Sequence, residues 1–587
     1  MEAFDPRLDQ PETIDYHSLA PDRAFLVTND ETHIETDRDS DLRGLYWSWH
    51  GRSYARSIRI AISAPLRPQF EPTTAPQDEL SPVVLRRYPG YQETIYGVEG
   101  VVISKRLFAP FRTSYQAAAL WLLELQTEGD RLLRIQIDID WGQPLEQRMV
   151  DGLLVAQLNP SAAQGPFDQQ NAESTRVFGT SQGPPDQVHF PDAQRAQLVY
   201  HVLAMGYVDL PLILTLSDVG EQLAWNGFLA LREIGRVFHE SNEHWQELLA
   251  AGELWTPFPP LNRAVRQAKV ASTQQLCRLP TGWAPFSRAV TDAPGLVSSL
   301  DTFQLGHSRD LLAHLRELAR QTRGRLPARI PAQAEEPIPD PGPEVVFTSG
   351  AYLQALARHL GHHFTPQLLE EHYTAVVLCG EALVKQGWQA DPAPDPRWLQ
   401  ALVRALGTAQ ALAERHGDSA NAARWESEAQ EHRRRLAEAA PNVSPERAPH
   451  PEQERAWLAA LADHAPETGE LAPGVLANAW AVWRGCGLRW QGERLAVEPG
   501  WPRPWAWWAL LDLPTDQGPL SLLWDGEILH STQPVVFSGP TQLHAGIRAL
   551  GREEERFDLH FDLLPSPESG EEASRIFRPR FQTAGPV

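Results

Sequence analysis

Cysteine, methionine and lysine are almost missing from this 587-residue chain, and each scarcity excludes something. The three cysteines, Cys277, Cys379 and Cys486, are single and widely spaced. They offer neither a disulfide framework nor a zinc-ligand pair, so a reducing compartment is expected. Of the 52 basic residues only Lys105, Lys269 and Lys385 are lysines, which with 50 prolines and three methionines fits a GC-rich genome better than any chemistry. Clustered positive charge is scarce as well. A formal net charge of −23 argues against nucleic acid and against anionic membrane surfaces, both of which reward grouped Lys and Arg. Long apolar runs are lacking too: the stretch Leu198 to Leu216 is interrupted by His201, Asp209 and Pro211 and reads as strand material, not a membrane span. Met1-Glu2-Ala3-Phe4-Asp5-Pro6 is acidic with no apolar core, so no secretory signal is expected and the location is read as cytoplasmic.

What is present is a sequence of textures. The length implies two to four domains. Before about residue 225, apolar residues alternate or run in short β-branched segments; Leu133-Arg134-Ile135-Gln136-Ile137-Asp138-Ile139 places four aliphatics on one face of a strand. Val101 to Ile103, Ala119 to Leu125, Leu153 to Leu158 and Leu212 to Leu216 are further strands, and Asn159 to Asp186 reads as a long loop. Many short strands with turn signals between them predict a β-sandwich over 1–225. A helical linker follows over 226–256, then a helical domain over 257–486, then a small β cap with a polar tail over 487–587.

The helices have legible ends. Ser308 is placed to cap a helix carrying Leu311, Leu312, Leu315 and Leu318, with Gly324 closing it. Thr365-Pro366 and Asp395-Pro396 open two more, ending at Gly387 and Gly417. Ala420 to Leu436 and Glu452 to Ala462 add further helices. In the tail, Asp525-Gly526 signals a hairpin.

Together with that order, several local patterns resemble the six-hairpin glycosidases, and among them the glycogen-debranching-type bacterial proteins. Asp41-Leu42-Arg43-Gly44-Leu45-Tyr46-Trp47 is similar to the start of their sandwich, and Tyr91 to Tyr96 and Val101 to Pro110 to its following strands. Gly324-Arg325-Leu326-Pro327-Ala328 resembles a loop between barrel hairpins, and Gly487-Leu488 with Trp524-Asp525-Gly526 resembles the closing cap. The resemblance implies a β-sandwich, an (α/α)6-type barrel, here trimmed, and a C-terminal β cap. It also implies hydrolysis of an α-linked glucan or oligosaccharide by inversion, with two carboxyl groups roughly 6.5–9.5 Å apart, one protonated and one ionised.

Carried over residue by residue, the resemblance makes Glu470 the candidate base and Asp292 a sugar contact. Thr291 stands where the family often has an arginine beside that aspartate. The general acid belongs near Gly387-Trp388-Gln389-Ala390-Asp391, which offers Trp388 and Asp391 as substrate contacts and no clear acid. Each has a plainer reading: Glu470 as a solvated turn residue, Asp292 as an N-cap, Asp391 as linker. The stretch 257–483 is short for twelve helices. These departures keep open a catalytically inactive relative that binds glycan or a partner protein, or a protein with a structural role. No metal or cofactor is implied. His359, His362, His363 and His372 are read as a surface histidine run, because no Glu base accompanies the i, i+4 pair a zinc helix would use. Trp501, Trp505, Trp507 and Trp508 are read as packing the cap. Sugar identity, linkage and oligomeric state are not legible.

Overall fold

The computed structural model describes residues 23–63, 80–158, 174–389, 395–439, 477–498, 508–524 and 529–537, short breaks apart, and isolated strands at 12–15, 543–545, 560–563 and 577–580. Glu470, Asp391, the helix expected over Glu452 to Ala462, and Trp501, Trp505 and Trp507 lie outside the described residues. The chain divides into two compact units, Met1–Glu247 with Cys277–Pro280, and Leu248–Leu276 with Thr281–Val587.

The first unit is a 15-stranded antiparallel sheet. The strands that organise it are β1 (Leu42–Trp47), β2 (Ser57–Ser63), β3 (Val101–Phe108), β4 (Ala118–Asp140), β5 (Thr175–Gly179) and β6 (Arg195–Ser217). β4 and β6, each 23 residues long, pair along almost their whole length. Their register breaks between Gln126 and Asp130, where Gly129 and Gly206 both take φ of +80°. Only glycine adopts that conformation without strain, and the break bends the ribbon. Before the bend β4 lies beside β3; after it, beside β2. The two halves share one apolar core, in which Trp121, Leu123, Ile135 and Ile137 meet Leu45, Ile58 and Ile60. The opposite face of the first half, Ala118, Leu120 and Leu122, packs under two helices, α1 (Glu221–Leu231) and α2 (Ile234–Ala250), through Phe228, Leu231 and Val237. Residues 118–123 are therefore covered on both faces, which is why that segment is continuously apolar while Leu133 to Ile139 alternates.

One expected loop contains structure. Within Asn159 to Asp186, β5 is buried along its whole length. Its arginine hid it from the pattern: Arg176 is buried, donates from Nε to Tyr54 O at 3.2 Å and lies over the Tyr54 ring. A second buried charge pins β1 to β3. Lys105 Nζ donates to Asp41 Oδ1 at 2.6 Å, and the same oxygen accepts from Ile60 N on β2 at 2.9 Å. The Asp41 of the Asp-Leu-Arg-Gly motif is thus a structural anchor for three strands.

The second unit is helical with small sheets. Its helices are α3 (Pro259–Gln274), α4 (Ala293–Leu300), α5 (Leu305–Gln321), α6 (Val345–His362), α7 (Pro366–Gln389), α8 (Pro396–His416) and α9 (Ser419–Ala439), and α10 (Ala477–Ala479) runs on into a π-helical turn, Trp480–Gly485. α4, α6 and α8 pack in one row, and α5, α7 and α9 pack outside it. α6 is buried over most of its circumference, leaving one stripe through Phe347, Gln354 and Arg358 unburied, and its small residues Gly350 and Ala351 let neighbours approach. α9 buries only Ala422, Trp425, Ala429, His432 and Leu436, a single stripe at helical spacing. Asp395 caps α8 as expected, accepting from Arg397 N, while Gly324 ends the turn after α5 with φ of +79°.

The turns joining α4 to α5, α6 to α7 and α8 to α9 are short; the segments preceding α4, α6 and α8 are long or lie outside the described residues. The long connections therefore gather at the N-terminal ends of the inner row. A three-residue strand, β7 (Glu253–Trp255), pairs with β8 (Trp508–Thr515), which continues into β9 (Gly518–Trp524) and β10 (Leu529–Ser531). Trp524 faces Leu529 across the expected hairpin, and Trp508 is buried in the core of this sheet.

Replacing Lys105 by Met is expected to lower the unfolding free energy by about 3–5 kcal/mol, because it strands the Asp41 carboxylate in the core. Adding Asp41→Leu should restore part of that loss. Urea denaturation of the single and double variants measures this; a change below about 1 kcal/mol in the single variant would show that the pair does not hold these strands.

Candidate functional site

A cavity of about 290 Å³ opens at the long-loop end of the inner helical row. Thr291 and Pro294 bring it the start of α4; Val346, Phe347, Ala351 and Gln354 bring it one face of α6. Arg397, Gln400, Ala401 and Arg404 complete it from α8, at the i, i+3, i+4, i+7 spacing that puts them on one side of that helix. The side chain of Phe347 is 43% exposed, unusual for a ring of that size, and it presents an apolar face to the opening. The described lining contains no carboxylate.

The expected site residues fall unevenly around this cavity. Asp292 follows Thr291 directly and is half-buried; it does not cap α4, and its Oδ2 accepts from Ser287 Oγ at 2.5 Å. Trp388 lies at the end of α7, exposed, and donates to Glu428 Oε2 on α9 at 3.0 Å, outside the cavity lining. The residues that reasoning from sequence missed are the two arginines and two glutamines of α6 and α8. Their spacing was visible, but an arginine on an amphipathic helix looks the same whether it faces solvent or a cavity.

The largest departure concerns the histidines. They are not a surface run. His359, His363 and His372 are fully buried, and His362 is half-buried. His359, His362 and His363 gather at the opposite, short-turn end of the helical row around Asp301, which closes α4. His359 Nδ1 donates to Asp301 Oδ1 at 2.7 Å and His362 Nδ1 to Oδ2 at 2.9 Å. His363 Nε2 donates to the Asp301 carbonyl at 3.2 Å. Ser308, expected as a cap, instead sits inside α5 and donates to Asp301 Oδ1 at 2.6 Å. Burial pushes the Asp301 carboxyl up, but the charge and hydrogen bond of His359, the hydrogen bond of His362 and the nearness of His363 outweigh it and hold it well below the usual range. Outside this cluster, His372 accepts from Tyr352 Oη at 2.8 Å. Burial lowers His363 to about 4 and His372 to about 3. With both carboxylate oxygens engaged and Asp301 itself fully buried, the Asp301 cluster is a lock between helices.

Among the described residues, the acidic grouping with ligand-like spacing is Asp37, Asp39 and Asp41. Asp37 Oδ1 accepts the backbone N–H of the other two, and Asp41 is taken by Lys105.

Comparison with known proteins gives a likeness of fold. No protein-family model matches the chain, and no curated protein sequence matches it. A candidate kojibiose phosphorylase from the human microbiome superposes with a TM-score of 0.52 over 89% of this chain and 96% of its own, at 9% identity. A bacterial glucoamylase complexed with acarbose scores 0.49 at 9% identity, over 72% of this chain and 68% of its own. A family GH92 alpha-mannosidase from Bacteroides thetaiotaomicron scores 0.37 at 10% identity, over 69% and 61%. Only the first score supports an argument, and it shows a likeness of fold that covers 89% of this chain. No helix among the described residues is long and apolar enough to cross a membrane.

The buried neutral histidines predict acid sensitivity. The unfolded chain binds a proton at each ring below about pH 6.5, whereas the folded protein resists protonation until about pH 4 at His363 and about pH 3 at His372. Stability from these rings is complete above pH 6.5 and falls as pH drops toward 4, by up to about 1.4 kcal/mol per pH unit for each ring. The urea midpoint should fall across that window and fall less steeply in His372→Gln. Equal slopes in both proteins would mean that His372 is charged in the fold.

Proposed function

We propose that this chain is a glycoside-active protein that takes an α-linked glucan or oligosaccharide at the long-loop end of α4, α6 and α8. In this reading the first unit is a β-sandwich, the inner and outer helices form a trimmed (α/α)6 barrel, and β8 to β10 belong to a closing cap. The observation that carries it is the position of the cavity. It opens where the connections of a helical barrel are longest, directly beside the Val290-Thr291-Asp292 segment that the resemblance marks as a sugar contact. Loops at one end of a rigid scaffold are where binding and catalytic groups concentrate.

The chemistry would be inverting hydrolysis. An acid protonates the leaving oxygen while a carboxylate removes a proton from water on the opposite face of the sugar. Glu470 is the proposed base, with Asp292, Trp388 and Asp391 as substrate contacts. The acid has no candidate among the described residues. A specific observation favours a second reading, a relative that binds glycan without cleaving it: the described cavity lining holds arginine, glutamine and threonine but no carboxylate.

Reducing-sugar release from a panel of α-glucans and oligosaccharides, wild type beside Glu470→Gln, separates the two. Hydrolysis predicts turnover that drops at least 10²-fold in the variant, the scale of a lost general base. Saccharide binding by calorimetry without turnover on any substrate supports the binding protein. Turnover that survives the substitution discards Glu470 as the base.

A further inference from the structure

We propose that the cavity between α4, α6 and α8 selects a saccharide bearing an oxyanion, either a phosphate ester or a carboxylate; the saccharide part rests on the functional reading above.

The argument begins with what surrounds Arg397 and Arg404. The chain has 75 acidic residues against 52 basic ones, so a surface arginine is seldom far from a carboxylate. Several arginines of this unit find one: Arg316 pairs with Glu371, Arg325 with Asp340, Arg424 with Glu381 and Arg434 with Glu431. Arg397 and Arg404 do not. Among the described residues neither side chain makes an ion pair, and no carboxylate lines the cavity they enter. They stand seven residues apart on α8, about 10.5 Å along the helix axis, with Gln400 between them on the same face.

A third guanidinium stands nearby. Arg358, one helical turn beyond Gln354, donates from Nη1 to Pro294 O at 3.1 Å. Partial desolvation lowers its pKa, and the positive charge of Arg404 lowers it further, so the two cations repel. A guanidinium presents paired N–H groups that match the two oxygens of a carboxylate or phosphate. Gln354, Gln400 and Thr291 add neutral hydrogen-bonding groups suited to hydroxyls, and Phe347 adds an apolar wall. At about 290 Å³ the space lies at the small end of ligand sites, enough for about one or two sugar rings. Two unpaired cations beside neutral hydrogen-bonding groups and an aromatic ring describe a charged sugar better than a neutral one.

The test is calorimetric titration of the full-length protein at low salt with glucose, glucose 1-phosphate, glucuronate and inorganic phosphate. Wild type is run beside Arg397→Gln, Arg404→Gln, the double variant and Arg404→Lys. At least one charged sugar should bind tenfold or more tightly than glucose. That advantage should vanish in the double variant and persist in part in Arg404→Lys, with circular dichroism and melting temperature unchanged throughout. Preference for glucose 1-phosphate identifies a phosphate ester, and preference for glucuronate a carboxylate.

The proposal is overturned if neither charged sugar binds, if glucose binds as tightly as both, or if the substitutions leave charged-sugar affinity intact. It is also overturned if inorganic phosphate alone binds as well as the sugar phosphate, which would make the cleft a bare anion site. Its fate is separable from that of the hydrolase reading. Turnover of neutral glucans that ignores both arginines keeps that reading and removes this one. Arginine-dependent binding of an acidic sugar without turnover does the reverse.

Discussion

The helical unit depends on one buried carboxylate. Asp301 has no exposed surface, and a lone carboxylate there would be too costly to keep ionised. It is tolerated because His359, His362 and Ser308 saturate its oxygens and His363 donates to its carbonyl. Each of those partners belongs to a different requirement of the fold. Ser308 fixes how α5 leaves α4; the histidines fix where α6 ends. His362 then stacks on Trp483 with rings 4.4 Å apart, and its carbonyl accepts from Trp490, so the same knot reaches the segment after α10. Removing any member would leave a buried group unpaired, which is why such networks are worth more whole than in parts.

Fixing one end of the helical row leaves the other end free to vary. The N-terminal ends of α4, α6 and α8 surround the cavity, those of α4 and α6 after long segments, whereas their C-terminal ends are tied by short turns. Ser272, Ser299, Thr302 and Asn478 add a second buried set: Asn478 Nδ2 donates to Ser299 O and Thr302 Oγ1, joining α10 to α4. A rigid base and a variable rim allow a cleft to change its lining without unfolding the scaffold.

Two of the three lysines turn out to be interior. Lys105 pairs with Asp41. Lys269 donates to the carbonyls of Leu249 and Ala251, closing the end of α2, and burial lowers its pKa to about 7 against the attraction of Glu253. Lysine suits the second place because a single compact ammonium on a long flexible stem can reach carbonyls at a helix end, where a planar guanidinium would need more room. Composition therefore carried structural information that looked like a trait of the genome.

Much of the fold was legible because it rests on local patterns. The alternation of Leu133 to Ile139, the cap at Asp395 and the glycine stop at Gly324 are each set by neighbours a few residues away, and the structure keeps them. The order of a sheet-rich part and a helix-rich part was legible for the same reason. What failed were readings that depend on distant partners. Four histidines on polar-looking helix turns resemble a solvated run until Asp301, some sixty residues earlier, is brought against three of them. β5 was lost because Arg176 hides inside it, matched to a tyrosine more than a hundred residues away. Arg397 and Arg404 were invisible as cavity residues because helical periodicity names a face but not what stands opposite it. Sequence alone determined where strands and helices form, since backbone propensity, capping and hydrophobic period act over short distances. Only tertiary structure decided which charges are buried, which are left unpaired, and which end of the helices stays open, since those depend on partners that the chain meets only when folded.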